Sequence, residues 1–266
     1  MLGKLMKYEL RATGRVLLPL YAAFLVMTLI AKIFVNINSE ATGFMISAGL
    51  VTTLYVIVIV GIAVMTFIMI IQRFYKNLMT DEGYLMFTLP VPVWQQVVSK
   101  MLLGLFWSVV CVIAVILSLF IIALDPGSFS QFISALINID WRAFNEMNGV
   151  LICIEILVCM LVSTVASMSQ IYCAIALGQL SDKHKIVMAV VAYIAISVIL
   201  QTVATTAIVG LSVNAETMGL NAFFAAMDAP DVLQWMFNGI TLGNLIFGGI
   251  MFAVTTYILK NKLNLE

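Results

Sequence analysis

Apolar residues run through this chain in six long blocks instead of alternating with polar ones. The blocks cover roughly residues 16–35, 44–71, 101–124, 150–177, 186–211 and 240–259. A helix rises about 1.5 Å per residue and the hydrocarbon of a bilayer is about 30 Å thick, so about 20 such residues cross it. Solid apolar runs fit spanning helices and do not fit a barrel, whose strands alternate. The pattern therefore predicts an all-α, polytopic integral membrane protein: one transmembrane domain, residues 1–266, with six transmembrane helices.

The shorter polar stretches carry the finer organisation. In residues 1–15, Lys4, Lys7, Arg11 and Arg15 fall on one arc at helical spacing, with Leu2, Leu5, Met6 and Leu10 roughly opposite. This predicts an N-terminal amphipathic interfacial helix, basic face toward lipid headgroups. Glu9 falls on the apolar arc. Either a tilt leaves it wet, or it meets a basic partner on another protein element. Two further connectors are long. Residues 125–148 contain "SFSQFISALINIDW", and 212–239 contain "NAFFAAMDAPDVLQWMF", where Asp228-Ala229-Pro230 reads as a break between two short helices. Neither half is long enough to cross, which predicts short re-entrant or interfacial helices before the last span. Trp141 and Trp235 suit the membrane–water boundary.

Composition strengthens the membrane reading. Of 266 residues, 63% are apolar and 10% charged, and mean hydropathy is +1.13. A soluble domain is nearer half apolar and a quarter charged. The 13 basic and 13 acidic residues cancel, so no basic stripe marks a nucleic-acid partner. Lys and Arg are unevenly placed. Lys4, Lys7, Arg11, Arg15, Arg73, Lys76, Lys100, Lys183, Lys185, Lys260 and Lys262 would share one side, leaving Arg142 and Lys32 on the other. The positive-inside rule then puts both termini and the loop at about 73–100 in the cytoplasm. No cleavable leader is expected at the start of the chain. Cys111, Cys153, Cys159 and Cys173 lie in apolar runs without a CxxC pair, which predicts buried apolar side chains rather than a metal or redox site.

Little catalytic chemistry is visible. The sequence contains no GxxxxGK[ST] phosphate loop, HExxH or GxSxG, so no catalytic, cofactor-binding or metal residues are assigned and ATP hydrolysis is not expected on this chain. The lone histidine, His184, sits in the basic turn "SDKHK" as a solvated side chain. Glu155 is the one acid clearly within a span. An ionisable group there defaults to a functional reading, against the alternative that it reaches water near the outer helix end. Ser163, Ser167 and Gln170 extend a polar stripe on the same span, and Gln201 and Thr205 lie on the next. They either let helices pack closely or line a substrate path together with Glu155.

One loop stands apart: "TDEGYLMFTLPVP", residues 80–92. Thr80 can cap a short helix with Asp81 and Glu82 at its positive end. Gly83 interrupts it. Tyr84, Leu85, Met86, Phe87 and Leu89 supply an apolar body, and Pro90 and Pro92 end it. Exposed surface of this kind marks either a contact for another protein or packing against the chain's own helix ends.

At these residues the sequence resembles a known family. "KYELRATGR" and "FYKNLMTDEGYLMFTLPVPVWQQVVSK" (residues 74–100) look like permease subunits of bacterial ABC exporters, of the six-span type-2 class; together they cover about a seventh of the chain. The resemblance implies a permease in the bacterial cytoplasmic membrane that pairs with a second permease chain, identical or related, and with a cytoplasmic ABC ATPase subunit holding ATP and Mg. It implies that residues 80–92 form a coupling helix docking on that ATPase through Asp81, Glu82, Gly83, Tyr84, Leu85 and Phe87. Pro92-Val93 departs from the Ser/Thr-plus-basic pattern that often follows "LPV" in relatives, which bears on the local docking geometry. An ion-gradient-driven secondary transporter and a non-transporting immunity or sensor protein are the alternatives.

Overall fold

The computed structural model describes residues 2–36, 42–79, 91–123, 126–138, 141–146, 148–181, 184–214, 219 and 227–262. Within them the long helices are α1 (Leu2–Asn36), α2 (Thr42–Met79), α3 (Val93–Ala123), α6 (Gly149–Gly178), α7 (Lys185–Val213) and α8 (Ala229–Asn261), and the short ones are α4 (Pro126–Ile137) and α5 (Trp141–Glu146). Each of the six long helices is long and apolar enough to cross a membrane, and no strand occurs among the described residues.

The helices outrun the apolar blocks. α2 continues past residue 71 through Gln72, Arg73, Tyr75, Lys76 and Asn77, and α3 begins eight residues before its block, at Val93. Polar side chains end the greasy surface, but Gln, Arg and Lys are good helix formers and do not end the backbone helix. At the N-terminus no break separates an interfacial helix from a span, because α1 is continuous and carries Pro19 inside it. Nor does Asp228-Ala229-Pro230 separate two short helices on its C-terminal side. Pro230 opens α8 in its first turn, where its missing N–H costs nothing, and residues 231–237 run straight on into the last long helix. Residues 215–218 and 220–226 lie outside the described set.

The chain divides into two compact units, one of Met1–Phe74 with Val98–Ile139 and one of Tyr75–Val97 with Asp140–Glu266. In the first unit α1 and α3 run parallel and α2 runs opposite to both. Leu17, Tyr21, Phe24 and Ala31 of α1 recur every three to seven residues and pack with Tyr55 and Ile62 of α2 and Leu103, Trp107, Cys111 and Ala114 of α3. Polar contacts stitch this core at successive depths. Trp107 Nε1 donates to Thr13 Oγ1 at 2.8 Å, the Tyr21 and Thr66 hydroxyls meet at 2.9 Å, those of Tyr55 and Ser118 at 2.9 Å, and Lys32 Nζ donates to the Ile121 carbonyl at 2.7 Å.

In the second unit α6 packs against α7 and α8. Here α8 runs parallel to α6 at an offset near 82 residues, as Asn244 with Ser163 and Gly248 with Ala166 show. Two glycines set the spacing. A Cβ on Gly248 would lie 3.2 Å from Ala166 Cα, and one on Gly178 would lie 2.6 Å from the Ala189 backbone nitrogen. Small residues let backbones approach where lipid offers no hydrophobic drive for helix association.

The outer surface is apolar. Leu50, Val60, Ile116, Leu157, Ile199 and Ile246 are exposed, as expected when lipid is the solvent. α7 is the extreme case: none of its most apolar stretch is buried. Cys111 and Cys173 are buried as the sequence predicts and Cys159 is half-buried. Cys153 is exposed, because its face of α6 turns away from α7 and α8; a thiol there meets lipid as a small apolar group.

Gly248→Leu should push α6 and α8 apart and lower stability by about 1–3 kcal/mol through overpacking. The neighbouring Gly249→Leu, with open space at its Cβ, should be neutral or mildly stabilising. Thermal unfolding of both variants in the same detergent checks the pair.

Candidate functional site

The first candidate region lies at the ends of α1, α2 and α3. Lys7, Arg11 and Arg15 are exposed on α1 and Lys4 sits in its first turn, whereas Thr13, Gly14 and Leu17 are buried. Glu9 is buried as well, and not wet. Its carboxylate forms an ion pair with Lys100 Nζ, the two side chains being 9% and 2% exposed. The basic partner on another element is therefore Lys100, a residue of α3 and not of the loop in which the charge pattern places it. α3 begins early enough to carry Lys100 inside the first unit. Beside the pair lies a void of about 10 Å³ lined by Thr13, Arg73, Lys100, Gly104 and Trp107 among others. That is room for about one water.

Taking two ions out of water is costly, and only good mutual geometry and further hydrogen bonds offset it. The pair thus pins the start of α1 to the start of α3 in one register. The Trp107–Thr13 bond, two turns further along α3, fixes the same register again.

Asp81, Glu82, Gly83, Tyr84, Leu85 and Phe87, to which the resemblance assigns docking, lie outside the described residues. Their flanks are described. α2 ends on buried Leu78 and Met79, and α3 opens after Pro92, whose carbonyl accepts from Gln95 N at 3.0 Å. Both flanks, residues 75–79 and 91–97, cluster with the second unit, although most of α2 and α3 belongs to the first.

The second candidate region is the polar seam of the second unit. Asn238 Nδ2 of α8 donates to Glu155 Oε1 of α6 at 3.0 Å. Asn244 Nδ2 donates to Ser163 Oγ at 3.0 Å, and Gln170 Nε2 donates to Ser197 Oγ of α7 at 2.7 Å. Gln170 thus faces α7, while Glu155 and Ser163 share the seam between α6 and α8. Ser167, Gln201 and Thr205 do not join it; all three are exposed. The Ser167 hydroxyl donates back to the Ser163 carbonyl at 2.8 Å, so its polarity is spent within its own helix.

Sequence reasoning missed Gln234 and Asn238 because the last apolar block starts at residue 240, leaving both in a connector, and missed Asn244 as a single polar residue within that block. The signal was there: Gln234 and Asn238 are one helical turn apart, and Thr241 follows three residues later. Among the described residues no group of three or more His, Cys, Asp or Glu is arranged to hold a metal ion. No protein-family model matches this chain, and neither a curated protein nor a solved structure does.

Lys100→Met alone should destabilise the protein by about 3–5 kcal/mol, since it strands a buried carboxylate. Glu9→Met combined with Lys100→Met should recover most of that loss. Denaturation midpoints of the single and double variants measure the difference.

Proposed function

We propose that this chain is the permease subunit of an ATP-driven ABC exporter in a bacterial cytoplasmic membrane. It would work with a separate ATPase subunit and a second permease chain. One observation carries the reading: a proline-bounded, acidic and aromatic segment, residues 80–92, joins two of six membrane-compatible helices and resembles the coupling loop of such permeases. The helix ends around it support the assignment. Helical backbone runs up to Met79 and resumes at Val93, so a push delivered at these two ends would be passed along two long helices.

In this reading both chain termini are cytoplasmic. ATP and Mg bind on the partner, where closure of an ATPase dimer presses on Asp81, Glu82, Tyr84, Leu85 and Phe87. Rigid helices carry the displacement into the bundle as a switch between two packed arrangements. The carboxylates of Asp81 and Glu82 select a basic groove, and Phe87 anchors in an apolar pocket of the kind that dominates interface energy. The Glu9–Lys100 pair holds the start of α1 against α3, so these two helices move as one piece. Substrate would pass between two permease chains.

Extraction in mild detergent should bring an ABC ATPase down with the full-length chain; recovery of the chain alone or only with itself would overturn the assignment. In the recovered complex, charge reversal at Asp81 and Glu82 to Lys, or Phe87→Ala, should reduce stimulation of ATP hydrolysis about tenfold or more, the size expected when an interface anchor is lost. Membrane insertion, read by the amount of folded protein in the membrane fraction, should stay unchanged.

A further inference from the structure

In the second unit, Gln234, Trp235 and Asn238 of α8 line a cavity of about 220 Å³, far above the roughly 10–15 Å³ that admits a single water. Asn238 is exposed and Trp235 is 59% exposed, so the cavity can be reached from outside. Behind Asn238 stands Glu155. One of its carboxylate oxygens accepts from Asn238; the other is buried without a hydrogen-bond partner among the described residues. One turn before Asn238, the amide nitrogen of Gln234 is buried and unpartnered in the same sense. Two orphaned groups of opposite character thus sit at this recess: the amide donor of Gln234 on its lining and a carboxyl oxygen of Glu155 behind Asn238.

Buried polar atoms are almost always satisfied, and an unsatisfied charged one is costly. Neither α6 nor α8 carries a Lys or Arg before Lys260, so neither of the helices bounding the recess offers Glu155 a cation. Asp231, three residues before Gln234 in the first turn of α8, places a second carboxyl on the same side of the helix. The Trp235 indole offers a face to a cation. A bare metal ion would leave the Gln234 donor unanswered. A quaternary ammonium has no N–H for the free carboxylate oxygen. A protonated primary amine with an oxygen acceptor one or two carbons away answers both.

We propose that the recess lined by Gln234, Trp235 and Asn238, with Glu155 behind Asn238, binds a protonated primary amine bearing an adjacent oxygen acceptor, the chemistry shared by an ethanolamine phospholipid headgroup and a free amino alcohol. Glu155 supplies the counter-charge and takes an N–H. Gln234 donates to the neighbouring oxygen, and Trp235 covers the cationic carbon–nitrogen end. The inference stands independently of the ATPase-driven reading, because it concerns occupancy of a site and not its use in transport.

The test uses the full-length chain in two arms. In nanodiscs of phosphatidylcholine and phosphatidylglycerol, ethanolamine and choline are titrated calorimetrically. In detergent, retention of phosphatidylethanolamine against phosphatidylcholine is read by native mass spectrometry. Saturable ethanolamine binding identifies a soluble amine; selective retention of phosphatidylethanolamine without it identifies the lipid headgroup. In whichever arm responds, Glu155→Gln, which removes the charge at constant shape, should weaken binding about tenfold or more, as expected for a lost charge-assisted bond. Trp235→Leu, at an exposed position, carries the same expectation should Glu155→Gln fail to fold. Equal behaviour of the ethanolamine and choline forms, no binding in either arm, or unchanged binding in a folded variant would overturn the proposal.

Discussion

The constraint that organises this protein is the scarcity of polar partners among its apolar helices. Every side-chain donor and acceptor that enters the bundle must find its partner there. In the first unit the partners come in order along the helix axes: Glu9 with Lys100, Thr13 with Trp107, Tyr21 with Thr66, Tyr55 with Ser118, and Lys32 with the Ile121 carbonyl. Apolar packing alone would let these helices slide or rotate, since lipid tails are as greasy as the core. Five polar contacts at five depths allow one register. Each is worth only about 0.6–2 kcal/mol where a bond of this kind has been measured in membranes, so together they act as much through specificity as through strength.

The same rule shapes the second unit with different parts. Asn238, Asn244 and Gln170 reach across to Glu155, Ser163 and Ser197, while glycines replace side chains where backbones nearly touch. Both units follow one plan, two parallel helices with a third antiparallel. They differ in their cement: aromatic rings and hydroxyls in the first, amides and small residues in the second. In the second unit the polar account fails to close among the described residues at Glu155 and Gln234.

Much of this was legible in the residues. Six apolar blocks became six membrane-compatible helices because block length and hydrocarbon thickness are tied by a fixed rise per residue. The limits of the helices were less legible, since hydropathy records the surface a helix shows and not where its hydrogen bonding stops. That is why Lys100, counted as a loop cation, turned out to be a buried partner, and why Gln234 and Asn238 were assigned to a connector. The polar stripe on α6 split for a related reason. Spacing places Ser163, Ser167 and Gln170 near one another along the helix, yet only a neighbouring amide decides which hydroxyl faces inward. Glu9 had two open readings until a partner 91 positions away settled it, a separation no local pattern encodes.

The second half of α7 has a mechanical character of its own. Near its start it is clamped to α6 by the Gly178–Ala189 contact and by Gln170 with Ser197. From Val198 to Val209 every residue is exposed. Thr202 and Thr206 there turn their hydroxyls onto their own helix, a habit that favours bending. The helix is thus a cantilever, rooted at one end and compliant toward the other, and any load on the chain beyond residue 213 would be met first by flexure of that free arm and only later by the root.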